Sequence, residues 1–166
     1  MTKSSVALSR HRSRELAVQL LYSLDTRPGC DPKECEDVFL SEEGFAPEES
    51  AEVCQYLRFL VEGTWGRRLE IDNMIRQVVL GWRPERMLAV DRAVIRLAVF
   101  EGFLKKRVPL AVAISEAVEL AQLFGTDESS KFVNGVLARV IRFMEGQETN
   151  GNVENAASNT EISTDR

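Results

Sequence analysis

The side chains best suited to chemistry gather at two points of this chain. Arg10, His11, Arg12 and Arg14 crowd the start of the first helical segment, with Tyr22 further along it, and Lys131 and Phe132 open the last. Arginines take phosphates and exposed rings stack bases, so this combination points to single-stranded RNA. A wheel at about 100° per residue sharpens the reading. Taking Leu16 as the origin, the apolar residues Leu16, Ala17, Leu20, Leu21 and Leu24 span roughly 0° to 140°. Tyr22 falls near 240° and His11 near 220°, on the face turned from the core. His11, the sole histidine, lies among arginines that oppose its protonated form, a poor setting for a general base.

Phe132 lies about 100° from Val133, at the margin of its helix's buried seam. It follows Thr126, Asp127, Glu128, Ser129 and Ser130, where helix-start amides can hold an anion and Lys131 adds charge. Each residue also has an ordinary explanation. Tyr22 could pack against a neighbouring helix, and Thr126, Asp127 or Ser129 could simply cap. Gly135 inside a helix calls for a close helix approach, and Asn134 for a buried hydrogen bond. The paired acids Glu116 with Glu119, and Asp91 with Glu101, read as solvated or matched to arginines. No glycine-rich phosphate loop, nucleophile elbow or cluster of metal ligands stands out. The expectation is a protein that is not an enzyme, with no cofactor and no metal.

A chain of 166 residues suits one domain. No apolar run approaches the roughly 18 residues of a membrane span, and the start lacks a secretory signal, so the expected place is the cytoplasm. Cys30, Cys35 and Cys54 are odd in number and lack a second pair for zinc, which predicts reduced thiols. The net charge of −5 hides an uneven distribution. The first 14 residues hold Lys3, Arg10, Arg12 and Arg14 without an acid, whereas residues 25 to 52 hold ten acids against Arg27 and Lys33.

The segments between are helical. The first helix is expected from Arg10 to about Leu24, after a flexible end at 1–8. Pro28, Gly29, Pro32, Gly44 and Pro47 make 25–47 an acidic loop with at most a short helix near Glu34 to Leu40. Val53, Tyr56, Leu57, Leu60 and Val61 form the next stripe, Gly63 and Gly66 permit a turn, and Ile71, Ile75, Val78 and Trp82 continue. Pro84 suits a helix start. The segment after it has one face of Met87, Val90, Val94, Leu97 and Ala98 and another of Leu88, Ile95, Val99 and Phe103, which places it in the centre of a bundle. Pro109 starts a helix that Gly125 ends. The last runs from about Ser129 to Met144 on Val133, Val136, Leu137, Val140 and Met144. From 146 to 166 the chain is too polar to offset the entropy of ordering it and is expected to be disordered. The fold class is all-α, a single-domain bundle of about six to seven helices over 9–145.

Particular stretches then carry a resemblance. Arg12-Ser13-Arg14-Glu15 with Ala17 and Leu21-Tyr22, Val90-Asp91-Arg92 with Ile95-Arg96-Leu97-Ala98, Val108-Pro109, the run from Ala113 to Ala121, and Lys131-Phe132-Val133-Asn134-Gly135-Val136-Leu137 resemble, in order and spacing, the NusB family of bacterial transcription antitermination factors. The resemblance implies an all-helical domain that binds the boxA element of ribosomal RNA operon leaders together with NusE, a small-subunit ribosomal protein. That complex joins RNA polymerase and suppresses termination. It implies RNA contacts at Arg10, His11, Arg12, Arg14, Tyr22, Glu128 and Phe132, and a NusE contact at Asp91. His11 and Ser13 interrupt the arginine run that family members often have. A monomer and a homodimer are both compatible with the sequence. Two other readings stand beside this one, a protein-only helical adaptor or homodimer with its RNA face unused, and a detached NusB-like domain of an rRNA cytosine methyltransferase.

Overall fold

A computed structural model describes residues 3–41 and 51–158, with side chains at 5–39, 41 and 51–146, and shows seven α-helices among them. They are α1 (Lys3–Thr26), α2 (Pro32–Ser41), α3 (Ala51–Gly66), α4 (Arg68–Val78), α5 (Ala89–Ala98), α6 (Leu110–Phe124) and α7 (Ser129–Ser158). A 3-10 turn at Pro84–Arg86 precedes α5, and a π turn at Val99–Leu104 follows it. No strand occurs among the described residues, so the all-α expectation holds.

The helices form where the apolar stripes lie. Leu16, Ala17, Leu20, Leu21 and Leu24 turn the inner face of α1 onto α3 and α5. Ser13 is small enough to let α1 and α3 approach, and its buried hydroxyl donates to the Val53 carbonyl at 3.1 Å. The centre belongs to α5, which packs against α1, α3, α4, α6 and α7. Val94, Ile95, Leu97 and Ala98 are buried on both its faces, as the double stripe predicted, although Leu88 just before it is exposed. Full burial of each such side chain contributes roughly 1.5–3 kcal/mol. The π turn extends this core. Val99, Phe100, Glu101, Gly102 and Phe103 are buried in succession. Gly63 lies where a Cβ would collide with the Phe100 ring, which is why α3 carries a glycine there.

Ion pairs lock these helices at defined registers. Arg96 donates to both oxygens of Asp72, at 3.0 and 2.7 Å, tying α5 to α4. Arg92 reaches Asp25 at 2.5 Å, tying α5 to α1. Arg14, only 3% exposed, donates from Nε and Nη2 to both oxygens of Glu101 at 2.8 and 2.7 Å. Tyr56 donates its hydroxyl to the same carboxylate, so α1, α3 and the π turn meet at one buried acid.

Several expectations are corrected. Cys30 and Cys35 form a disulfide rather than standing reduced, and Cys54 is the free thiol. Asp31 starts α2 by accepting from the Lys33 and Glu34 amides, which sets Cys35 one turn into the helix. The Cα atoms of the pair are then 6.3 Å apart, within bridging reach. Helix α1 begins at Lys3, not at the expected Arg10. The 3-10 turn holds Pro84, and α5 itself begins five residues later. Gly135 is exposed with open space beside it, not a close helix approach, and Asn134 is exposed rather than buried. Gly125 does end α6 as expected, with φ −95°, and its lack of a Cβ makes room for Ser129 and the Ala121 carbonyl. Helix α7 continues to Ser158, beyond its expected end near Met144. Part of the acidic loop, 42–47, and the tail beyond 158 lie outside the described residues.

Two outcomes follow from the buried acid. Glu101→Gln, which strips the charge opposite the buried guanidinium, lowers the unfolding free energy by about 3–5 kcal/mol. Urea denaturation reads this, and a loss below about 1 kcal/mol would contradict the structural role. Burial and then the hydrogen bond to Glu101 raise the Tyr56 pKa above its ordinary 10.0. The unfolded chain therefore ionises first, and the contribution of Tyr56 to stability, complete below pH 10, falls as pH rises above it. Tyr56→Phe flattens that alkaline decline, and an unchanged slope would remove Tyr56 as its source.

Candidate nucleic-acid and protein interface

The basic start of α1 divides into inward and outward side chains. On the wheel that set the apolar arc, Arg14 falls near 160° and Arg10 near 120°, so both lean toward neighbouring helices. Arg14 is thereby withdrawn from solvent, and the expectation that it meets phosphate is corrected. Burial alone would lower its pKa, but the hydrogen bond and charge of Glu101, with the charges of Glu116 and Tyr56, raise it, so the guanidinium stays charged. Arg10 lies over the Tyr56 ring, its Cζ 5.2 Å from the centroid. His11 Nδ1 is 2.7 Å from Glu116 Oε2, and its Nε2 is 3.5 Å from Glu15. The acid expected to be arginine-matched, Glu116, also meets Arg14 at 3.3 Å. Arg12 pairs with Glu15 at 3.1 Å while keeping over a third of its side chain exposed.

At the other end of α1, Tyr22 is 44% exposed. It stands three residues before Asp25, which pairs with Arg92 on α5. Asp91, next to Arg92, Glu128 before α7, and Phe132 in its first turn line one groove of about 550 Å³. Phe132 is 39% exposed, a ring presented to solvent at the edge of the seam. The start of α7 is tied by its own main chain: the Ser129 amide donates to Thr126 and the Phe132 amide to Glu128. Ser129 also caps, accepting from the Thr126 amide at 2.9 Å. The anion site imagined there is therefore narrower than the sequence implied. Lys131 is exposed beside Phe132.

The groove adds residues that the sequence reading did not single out. Arg83, Arg86 and exposed Leu88 line it from the segment before α5. The arginine pair around Pro84 was the available signal. Asp91 is 5% exposed, and its Oδ1 has no hydrogen-bond partner. A buried carboxylate oxygen without a donor is costly to fold. Among the described residues no group of three or more His, Cys, Asp or Glu could hold a metal, and no helix is long and apolar enough to cross a membrane.

An all-helical bundle whose first helix carries basic side chains and an exposed ring, and whose groove holds charges of both signs, suits a binding domain. The NusB family model matches residues 11–142, and the chain belongs to the NusB family. It is 48% identical over 146 residues to a protein of Symbiobacterium thermophilum named transcription antitermination protein NusB, covering 84% of this chain and 93% of that one. A Chloroflexus aggregans protein of the same name is 38% identical over 153 residues, covering 90% and 99%. Among solved structures, T. maritima NusB aligns with a TM-score of 0.70 at 31% identity, over 80% of this chain and 90% of that chain. Antitermination factors NusB and NusE in complex with dsRNA include a chain that aligns with a TM-score of 0.71 at 26% identity, over 81% and 96%.

The unpartnered oxygen of Asp91 sets up a stability test. Removing it relieves about 1–3 kcal/mol of desolvation and forfeits about 0.3–1 kcal/mol of favourable placement at the start of α5. Asp91→Ala therefore raises the unfolding free energy by about 1 kcal/mol, read from urea midpoints. A drop of that size would mean that Asp91 serves the fold.

Proposed function

We propose that this chain is a transcription antitermination factor that binds boxA RNA of ribosomal RNA operon leaders together with NusE, and through that complex keeps RNA polymerase reading past terminators. It acts in the cytoplasm as a binding protein, not as an enzyme. The observation that carries the reading is the groove in which Asp91, Glu128 and Phe132 converge. In it an exposed ring, a buried acid without a donor and flanking arginines suit a strand of bases beside a polar protein surface. Asp91 is the NusE contact. Phe132 and Tyr22 stack bases, Glu128 accepts from a base edge, and Arg10, His11, Arg12 and Lys131 face the phosphates. Membership of the NusB family and the relatives' names support the same reading.

The test compares boxA RNA with a scrambled RNA of equal length, with and without NusE, across a salt series. Preference for boxA that grows with NusE is expected. With Arg14 turned inward, about four phosphate contacts remain, for a single-strand log-log slope of about −3. Phe132→Ala lowers boxA affinity roughly tenfold through lost stacking, whereas Asp91→Ala removes the NusE-dependent gain alone. Equal weak binding of both RNAs would overturn the reading and leave a protein-only adaptor.

A further inference from the structure

Away from the Phe132 groove, a second cleft of about 330 Å³ lies between the start of α1, α3 and the turn that leads into α6. Its size falls within the range of small-ligand clefts. Two guanidinium groups sit on rings there. Arg10 lies 5.2 Å above Tyr56 and Arg107 lies 5.0 Å above Phe59. The two rings are themselves stacked, 5.6 Å apart at 26°. The result is a joined aromatic floor carrying two cations. A guanidinium on a ring offers its outer face to a base and its N–H edge to a phosphate.

The turn that presents Arg107 is held in place. Lys105 donates its amide to the Phe100 carbonyl at 2.9 Å, and Arg107 donates its own to Glu101 at 3.0 Å. Lys106 between them has φ 49°, a left-handed conformation unusual for lysine. Such a conformation persists where surrounding contacts over-determine it, and it tends to mark functional turns. Of the charged residues that line the cleft, Arg10 and Arg107 outweigh Glu52. The nearby Glu101 is already matched by Arg14.

We propose that this cleft is a second RNA subsite, which takes nucleotides flanking the boxA segment. The proposal rests on the RNA-binding reading given above. Arg10 precedes Tyr22 by twelve residues on one helix, a distance of about 18 Å. A strand leaving Tyr22 along α1 passes His11 before it reaches the cleft. Because every base has a π face, the subsite accepts flanking nucleotides with little sequence preference. Ser9 and Gln55, on its walls, supply polar partners without demanding one base.

The experiment uses the full chain and three RNAs: boxA alone, and boxA extended by a few nucleotides at its 5′ or its 3′ end. One extension is expected to tighten binding about tenfold and to steepen the log-log salt slope by about 0.7. Arg107→Ala cancels both gains but leaves boxA alone, and the thermal midpoint, unchanged. Arg107→Lys retains the added slope and loses most of the added affinity, since lysine keeps the charge without the stacking plane. Phe132→Ala weakens all three RNAs alike. Equal binding of the three RNAs by the wild type, or an Arg107→Ala loss of the same factor for each, would overturn the subsite and leave the boxA reading standing. A wild type that does not distinguish boxA from a scrambled RNA would overturn both.

Discussion

The bundle is organised around one buried charge. Glu101 sits inside the π turn, where it accepts two bonds from Arg14 and one from Tyr56. A carboxylate taken out of water needs its acceptor sites satisfied, and no single helix could supply all the donors. Three elements must therefore arrive together. Arg14 also touches Glu116, and Glu116 holds His11, so the network runs from the core to the surface through α1 and α6. Ion pairs of this kind contribute less to net stability than to register, because only one alignment of the helices satisfies every partner.

That register divides the basic start of α1 by function. Successive residues on a helix point about 100° apart, so four basic side chains within five positions cannot share one surface. Arg14 holds the core, Arg10 turns toward α3, and His11 and Arg12 remain nearer solvent, each braced by an acid. The bracing fixes where these side chains point on the surface of α1. The groove at the other end works by a different balance. Asp91 keeps an oxygen without a hydrogen-bond partner where apolar packing would have been more stable.

The helices were legible because their stripes repeat with the helical period. Leu16 to Leu24, Val53 to Val61 and the double face of α5 emerge where the pattern places them. Tyr22 and Phe132 were legible too, each set off its core arc by the same geometry. Arg14 was not, since a run of cations reads as surface unless the partner acid, 87 residues later, is known. The same wheel puts Arg14 beside Leu21 at the edge of the apolar arc, so its burial was recoverable from geometry but not from charge. The Cys30 to Cys35 bond depended on where Asp31 starts α2, a local detail that an odd cysteine count obscures. Gly135 misled because a glycine inside a helix has several causes, and here no neighbour crowds it.

The π turn after α5 has a consequence for how this chain tolerates change. Five consecutive residues from Val99 to Phe103 are buried there, which a standard helix surrounded on fewer sides would not permit. A π turn carries one residue more than an α turn over the same hydrogen-bonded span, so it behaves as an insertion preserved inside a helix. About five π residues sweep the angle that about four α residues do, so excising the extra residue would restore a regular α turn without re-aiming the chain beyond it. A cut ahead of Glu101 would instead move its carboxylate from the place where Arg14 and Tyr56 meet it. The segment thus stores a spare residue, and what that residue secures is the placement of one acid rather than the course of the chain.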